Sequence, residues 1–225
     1  MVGVGALVGI WLFMRELAFS KTSPSAVDAA LVGVIGGMAG AKLLWVFEHL
    51  GEEPALTLIL SRGGMSWFGG FAGGLGAGVW MLSRRRVSVI AALSAATPAL
   101  AVGHAIGRIG CLLVGDDYGR PSSLPWAIAF PEGLPPTLTP VHPTQIYEAL
   151  ALMPLAWLLI RWRRQQRPDA AVLGLYLAGA GAIRFAIEFL RINTRVLGNL
   201  SVAHLAALTI TIIGIGILLT TRRPR

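Results

Sequence analysis

The side chains able to do chemistry are concentrated in one stretch, residues 103–121, which reads GHAIGRIGCLLVGDDYGRP. Residues three and four apart are neighbours on a helix, so His104, Arg108 and Cys111 share one face there. The surrounding sequence is apolar, and ionisable groups in such surroundings are costly unless they pair or face a wet cavity. We therefore predict that this face points into the protein and forms a functional site.

A second charged stripe occurs late in the chain, where Arg184, Glu188 and Arg191 recur at spacings of four and three. Glu188 can form an ion pair with Arg184 within one helix, which leaves a surplus of positive charge. Guanidinium groups stay charged and donate two parallel hydrogen bonds, a geometry that suits phosphate. Together with Arg108, this stripe predicts a cationic pocket for an anionic lipid or a lipid-like phosphate.

Glycines and polar helix starts offer further candidates. Gly69 and Gly70 belong to a glycine-rich run that either packs helices tightly or leaves room for a substrate beside the backbone. The segment HPTQIYE at 142–148 begins with a proline near the first turn, as helices often do. Its polar residues are either helix caps or part of the site.

The composition defines the class of protein that carries these residues. The 225 residues are 55% hydrophobic and only 13% charged, which is typical of a polytopic membrane protein and not of a soluble domain. The net charge of +8 comes from short basic loops, so we expect no nucleic acid partner. One cysteine excludes an internal disulfide, and because no ligand cluster is evident we expect neither a metal nor a cofactor.

Apolar runs predict an all-α integral membrane protein with seven transmembrane helices, since a span needs about 20 residues. We expect residues 1–225 to form a single transmembrane domain. The predicted spans are 2–14 (extending to 19), 26–47, 65–82, 88–114, 144–160, 171–190 and 201–220.

Basic residues predict the orientation of these spans. Twelve of the nineteen Lys and Arg residues fall on one side, mainly in the loops near 84–86 and 161–167 and in the tail at 222–225. Positive charge marks the cytoplasmic side, which places the N-terminus outside and the C-terminus in the cytoplasm. The long connection at 115–143 then lies on the outer face, where its Pro and Gly content predicts a small irregular or partly β lid.

Several motifs appear in a characteristic order along the chain. They are GGMSWFGG at 63–70, GRIGC at 107–111, GDDYGRP at 115–121, HPTQIYE at 142–148 and GAIRFAIEFLR at 181–191. In order and spacing they resemble the prolipoprotein diacylglyceryl transferase family, over nearly the whole chain. The resemblance implies a multi-pass enzyme of the bacterial inner membrane. It would transfer the diacylglyceryl group of phosphatidylglycerol to the lipobox cysteine of a preprolipoprotein, forming a thioether and releasing glycerol phosphate.

The same resemblance implies roles for individual residues. Arg108 and Arg184 match the two essential arginines, which would hold the phosphate and stabilise the leaving group. Other positions match residues that border the site. These substrate-binding candidates are Asp116, His142, Gln145, Tyr147, Glu188 and Arg191, to which our own analysis adds Gly69 and Gly70.

Three positions depart from the family pattern. Phe68 replaces a histidine, Ala180 replaces a tyrosine, and Cys111 replaces an asparagine. A thiol acceptor needs a base, and His104 is our candidate because imidazole titrates near neutrality; the alternative is a hydrogen bond between packed helices. Cys111 is either a small apolar filler or a nucleophile.

These departures keep two other functions open. One is a family paralogue that modifies a different acceptor. The other is a non-catalytic protein that binds or transports membrane lipids, although the ionisable residues lie towards one side only and do not trace a path across the bilayer.

Overall fold

The computed structural model describes residues 1–51, 54–61 and 66–221. Some positions used in the sequence analysis therefore lie outside the described residues. They are residues 63–65 of the glycine-rich motif and four basic residues of the orientation count, Arg62, Arg222, Arg223 and Arg225. The described chain forms seven long helices, which agree with the seven predicted apolar runs to about one helical turn. They are α1 (Val2–Phe19), α2 (Ala26–Glu48), α4 (Trp67–Arg84), α5 (Val89–Val114), α6 (Thr144–Arg164), α7 (Asp169–Glu188) and α8 (Val202–Thr220), with a short unpredicted helix α3 (Ala55–Leu60).

Four of the described helices, α2, α5, α7 and α8, are long and apolar enough to cross a membrane. The protein is thus a helical membrane protein, as its composition predicts. Seven spans and their orientation stay predictions.

The chain divides into two compact units. The small unit is Met14–Ala92, and the large unit is Met1–Phe13 with Leu93–Arg225. In the small unit, α2 and α4 approach so closely that a Cβ atom on Gly73 would lie 3.1 Å from the Cα of Gly40. Glycine is needed there because a larger residue would meet backbone, which cannot rotate away.

Core packing in the large unit centres on α6. The buried side chains of Leu152, Leu155 and Leu159 pack with Val172 of α7 and Ala101 of α5. Helices α7 and α8 also approach closely, since a Cβ on Gly181 would lie 2.8 Å from the carbonyl oxygen of Ala207. This packing brings the ends of α5, α6 and α7 together.

The connection between α5 and α6 forms a lid, defined here as residues 115–143. It contains a two-stranded antiparallel sheet of β1 (Ile128–Phe130) and β2 (Thr137–Val141), so the segment is partly β. One backbone hydrogen bond closes the lid on itself, from Gly119 N to His142 O (2.9 Å). A second fastens it to the segment after α7, from Arg120 N to Leu190 O (2.7 Å).

A second small sheet joins α7 to α8. It consists of β3 (Arg195–Leu197) and β4 (Leu200–Ser201), which pair antiparallel around a turn. Ser201 caps α8 by accepting a hydrogen bond from His204 N, as serine commonly does at helix starts.

Candidate functional site

A continuous series of ion pairs links α5, α6, α7 and the lid within the large unit. It begins where Glu148 of α6 contacts two residues of α5: Oε2 lies 3.0 Å from Arg108 Nε, and Oε1 lies 3.5 Å from His104 Nε2. The side chains of Glu148 and Arg108 are only 3% and 9% exposed, whereas His104 is 45% exposed. The predicted α5 face therefore turns its arginine inward and leaves its histidine accessible.

Asp117 of the lid joins Arg108 to Arg191. Its Oδ2 accepts a hydrogen bond from Arg108 Nη1 (2.9 Å), and its Oδ1 pairs with Arg191 Nη2 (2.5 Å). Arg191 Nη1 also donates to the Asp117 backbone carbonyl (2.9 Å). Burial would raise the pKa of Asp117, but hydrogen bonds and charge from the two guanidinium groups outweigh it and hold the pKa below its usual value. The carboxylate is therefore ionised at neutral pH.

Glu188 closes the series at the end of α7. One oxygen, Oε2, lies 2.9 Å from Arg184 Nη2 and 3.7 Å from Arg191 Nε. The other, Oε1, accepts hydrogen bonds from Ser201 Oγ (2.6 Å) and Asn193 Nδ2 (2.7 Å). The side chain is fully buried, and because both oxygens are engaged it is fixed in place.

His204 of α8 lies behind Glu188 and is fully buried. Its Nδ1 accepts from Ser201 N (3.1 Å) and faces Arg195 Nη1 (3.2 Å). Both are donors, so Nδ1 carries no proton and the hydrogen of a neutral ring is on Nε2. Phe185 and Phe189 pack edge-on against the ring, at centroid distances of 5.1 and 4.4 Å. These contacts make His204 a structural support and not an accessible base.

Arg108 and Arg184 retain the capacity to bind a further anion. Arg108 Nη2 is buried and has no hydrogen-bond partner among the described residues, although buried donors normally find one. Arg184 is 31% exposed and pairs with Glu188 through Nη2. His104 lies within electrostatic range of both arginines. A guanidinium with a free donor and a partly open guanidinium, joined by one series of ion pairs, can both donate hydrogen bonds to phosphate oxygens.

The start of the lid is held on α6. Gln145 Nε2 donates to Asp116 O (2.6 Å), and Thr144 Oγ1 donates to Asp117 O (3.0 Å). The buried side-chain atoms Asp116 Oδ1 and Gln145 Oε1 have no hydrogen-bond partner among the described residues. Asp116 and Gln145 are thus close together. Asp117, and not Asp116, bridges Arg108 and Arg191.

His142 and Tyr147 form a separate polar group at the edge of the lid. Trp126 Nε1 donates to Tyr147 Oη (2.7 Å), and His142 Nδ1 lies 3.5 Å from the same oxygen. The two rings meet edge-on at a centroid distance of 6.1 Å. These predicted residues therefore tie the lid to the beginning of α6, and the described contacts do not include them in the ion-pair series.

Of the remaining predicted positions, the two glycines and Ala180 have no described contact with the ion-pair series, whereas Cys111 contacts Arg108. Gly69 and Gly70 belong to α4 of the small unit, where Gly70 faces Ala41 of α2. Ala180 is on α7 and packs against the core of the large unit. Cys111 is a free thiol, and its Sγ lies 3.5 Å from Arg108 Nη1.

Several residues that organise the site were not among the substrate-binding residues predicted from the sequence. Glu148 shares the Gln145 face of α6, and this spacing was a usable signal. Asp117 follows the predicted residue Asp116 in a loop. A loop has no regular spacing of side chains, so the sequence could not tell which of the two faces the site. Ser201 and His204 stand at i and i+3 at a helix start, which is the spacing of a capping box.

The fold and the site together define a helical membrane protein with a buried basic and acidic network at the helix ends, suited to an anionic lipid head group. A family model, described as prolipoprotein diacylglyceryl transferase, matches residues 1–220. The chain belongs to the prolipoprotein diacylglyceryl transferase family.

Individual relatives are identical to this chain at about a third of the aligned positions, and each of the three below is named phosphatidylglycerol–prolipoprotein diacylglyceryl transferase. The relative from Idiomarina loihiensis is 36% identical over 86% of this chain and 73% of its own length. That from Pseudoalteromonas translucida is 34% identical over 96% and 84%. That from Nitratidesulfovibrio vulgaris is 34% identical over 97% and 85%.

Proposed function

We propose that this protein transfers the diacylglyceryl group of phosphatidylglycerol to the thiol of a lipobox cysteine in a preprolipoprotein. The observation that carries the proposal is that Arg108 of α5 and Arg184 of α7 belong to one network, in which Arg108 keeps a buried donor without a partner. Family membership and the names of the relatives agree with it.

In the proposed reaction, Arg108 and Arg184 bind the phosphate of the lipid. The thiol sulfur attacks the glyceryl carbon that carries the phosphate ester, so that a C–S bond forms and the C–O bond breaks. The electron pair of that bond leaves with glycerol phosphate. Negative charge grows on the departing phosphate, and donors already in place stabilise it without having to reorganise.

The thiol must also lose its proton, because the thiolate is the nucleophile. His104 is the proposed base: its ring is accessible, and Nε2 lies 3.5 Å from Glu148 Oε1. A carboxylate beside an imidazole orients the ring and stabilises its protonated form. Glu148 would therefore hold Arg108 in place with one oxygen and orient the His104 ring with the other.

Other predicted residues have supporting roles in this proposal. Glu188 and Arg191 hold Arg184 and the lid, Gln145 and Asp116 join the lid to α6, and His142 and Tyr147 fasten the lid edge. Gly69 and Gly70 stay predicted substrate-binding positions.

We also propose seven membrane spans, with the N-terminus outside and the C-terminus cytoplasmic, in the bacterial inner membrane. Support comes from the seven long helices and from the arginines at the ends of α4 and α6. The site and the lid then lie at the outer leaflet. We further propose that residues 1–225 form one transmembrane domain.

A second candidate keeps the lipid donor but changes the acceptor. It is favoured by Phe68 and Ala180, which stand where the resemblance leads one to expect histidine and tyrosine. Lipid turnover without lipobox modification is the expected sign of this alternative.

Complementation tests the proposal. The wild-type chain should rescue a strain depleted of its own transferase, and purified protein should attach diacylglyceryl to a lipobox peptide. Arg108→Ala and Arg184→Ala should each lower turnover by about a hundredfold or more, the usual effect of removing a donor that stabilises developing charge. Arg161→Ala is the matched control, because Arg161 is an exposed arginine at the opposite end of α6.

Each outcome decides between the candidates. Wild-type turnover in both arginine variants would contradict the shared phosphate site. Failure to modify the lipobox peptide, combined with consumption of phosphatidylglycerol, would favour a different acceptor. The absence of any lipid turnover in correctly inserted wild-type protein would leave a lipid-binding protein.

A further inference from the structure

Asp117 holds an unusual position among the carboxylates of the site. It pairs with two arginines whose side chains are only 9% and 8% exposed, yet its own side chain is 48% exposed. Glu148 and Glu188, which pair with the same arginines, are 3% and 0% exposed. One carboxylate of the network therefore reaches solvent, while the other two are enclosed.

The charges of the network already balance. Three guanidinium groups, of Arg108, Arg184 and Arg191, face three carboxylates among the residues of the series. A phosphodiester head group adds one negative charge. An uncompensated charge in buried surroundings is unfavourable, so withdrawal of one carboxylate or gain of a proton would favour binding.

Local geometry favours withdrawal of Asp117. Its backbone carbonyl is held separately, by Arg191 Nη1 at 2.9 Å and by Thr144 Oγ1 at 3.0 Å. The side chain can therefore rotate into solvent while the lid backbone stays on α6. Glu188 cannot do the same, because Ser201 and Asn193 hold its other oxygen.

We propose that Asp117 is an exchangeable counter-ion: its carboxylate neutralises Arg108 and Arg191 in the free protein, and the phosphate of the lipid displaces it from Arg108. The identity of the lipid rests on the proposed function, whereas the competition between two anions does not. When the product phosphate forms, the returning carboxylate competes with it for Arg108 and favours its release. Asp117 thus sets the affinity of the site without touching the reacting carbon.

The test is equilibrium binding of phosphatidylglycerol to the purified full chain in neutral-lipid nanodiscs. Asp117→Asn removes the charge and should lower the Kd about fivefold or more, as expected when a competing charged hydrogen bond is lost. Asp117→Glu keeps a carboxylate and should stay near the wild-type Kd. Glu132→Gln is the matched control, because it removes an exposed carboxylate from the same lid.

Free inorganic phosphate and glycerol phosphate form further arms of the binding experiment. If Asp117→Asn binds all three anions more tightly, Asp117 competes with the phosphate group itself. If it binds only phosphatidylglycerol more tightly, Asp117 competes only with a phosphate that is part of a lipid in the membrane. In turnover, Asp117→Asn should lower KM and also lower kcat, since the product leaves more slowly.

Unchanged or weaker phosphatidylglycerol binding in Asp117→Asn would overturn the counter-ion role. So would an Asp117→Glu variant that behaves like Asp117→Asn, because side-chain shape and not charge would then matter. Asp117→Ser is a second neutral variant; if neither neutral variant stays folded by size-exclusion chromatography, Asp117 is a structural tie and the proposal fails. Transfer activity of the wild type, measured in the same nanodiscs, tests the proposed function separately.

Discussion

At the scale of single residues, Glu148 contacts two residues of the proposed site. One oxygen lies beside Arg108 and the other beside His104, and the side chain is almost fully buried. A buried charge pair adds little net stability, but removal of one partner leaves the other charge uncompensated. The carboxylate therefore matters most for keeping Arg108 buried and correctly placed.

We expect Glu148→Ala to destabilise the protein by about 3 kcal/mol, the low end for breaking a buried ion pair, because Asp117 still compensates part of the Arg108 charge. Thermal unfolding in detergent measures this change. Glu132→Ala should melt with the wild type, since Glu132 is exposed in the lid. A Glu148→Ala variant that also melted with the wild type would contradict a buried ion pair at this position.

The residue scale also shows what spacing can and cannot predict. Helical spacing was sufficient to align Arg184 with Glu188, and the two form an ion pair in the fold. It could not separate Asp116 from Asp117, because the helix ends at Val114 and Gly115 turns the chain with a φ of +72°. Asp117 itself takes the left-handed conformation (φ 59°), which no periodic pattern predicts.

At the scale of elements, glycines determine how α2 and α4 pack in the small unit. Gly73 and Gly76 are three positions apart in α4, but they differ in surroundings. A Cβ on Gly73 would crowd the backbone of α2 at Gly36 and Gly40, whereas nothing lies within 4 Å of one on Gly76.

This difference provides a matched pair of variants. Gly73→Ala should destabilise the protein by about 1–3 kcal/mol, as overpacking does, because backbone atoms must move apart. Gly76→Ala should be neutral or slightly stabilising, since alanine favours a helix over glycine. Thermal unfolding of both variants checks this expectation, and equal melting temperatures would argue against close packing of α2 and α4.

Helix positions were predictable from the sequence because each is a continuous apolar run. Contacts between elements were not, since they depend on surfaces far apart in the chain. The lid is an example: its Pro and Gly content predicted an irregular or partly β segment, but not the hydrogen bonds from Gly119 to His142 and from Arg120 to Leu190. The role of Ser201 depends in the same way on a fold in which α8 starts beside Glu188.

At the scale of the whole molecule, the orientation determines from which side the substrates arrive. The proposed topology places the lid outside and the α6–α7 connection in the cytoplasm. Cysteine labelling tests it in a Cys111→Ser background, with Glu132→Cys in the lid and Gln165→Cys after α6. A membrane-impermeant maleimide should label Glu132→Cys in intact cells, and Gln165→Cys only after lysis.

The reverse labelling pattern would place the site at the cytoplasmic surface and exclude acceptors that arrive from outside. Labelling of both positions in intact cells would mean that the two connections share one side of the membrane. The Cys111→Ser parent without an added cysteine is the control for background reaction.

The hydroxyl of Ser201 serves two structures at once, because it caps α8 and also anchors Glu188. Insertions near this serine would consequently reach Arg184 through Glu188, although they begin outside the site. The turn at Gly198 and Asn199 is exposed and neither caps α8 nor anchors Glu188. For protein engineering, that turn is the sensible point to attach an epitope or a fluorophore, and the two ends of the hairpin are the places to leave intact.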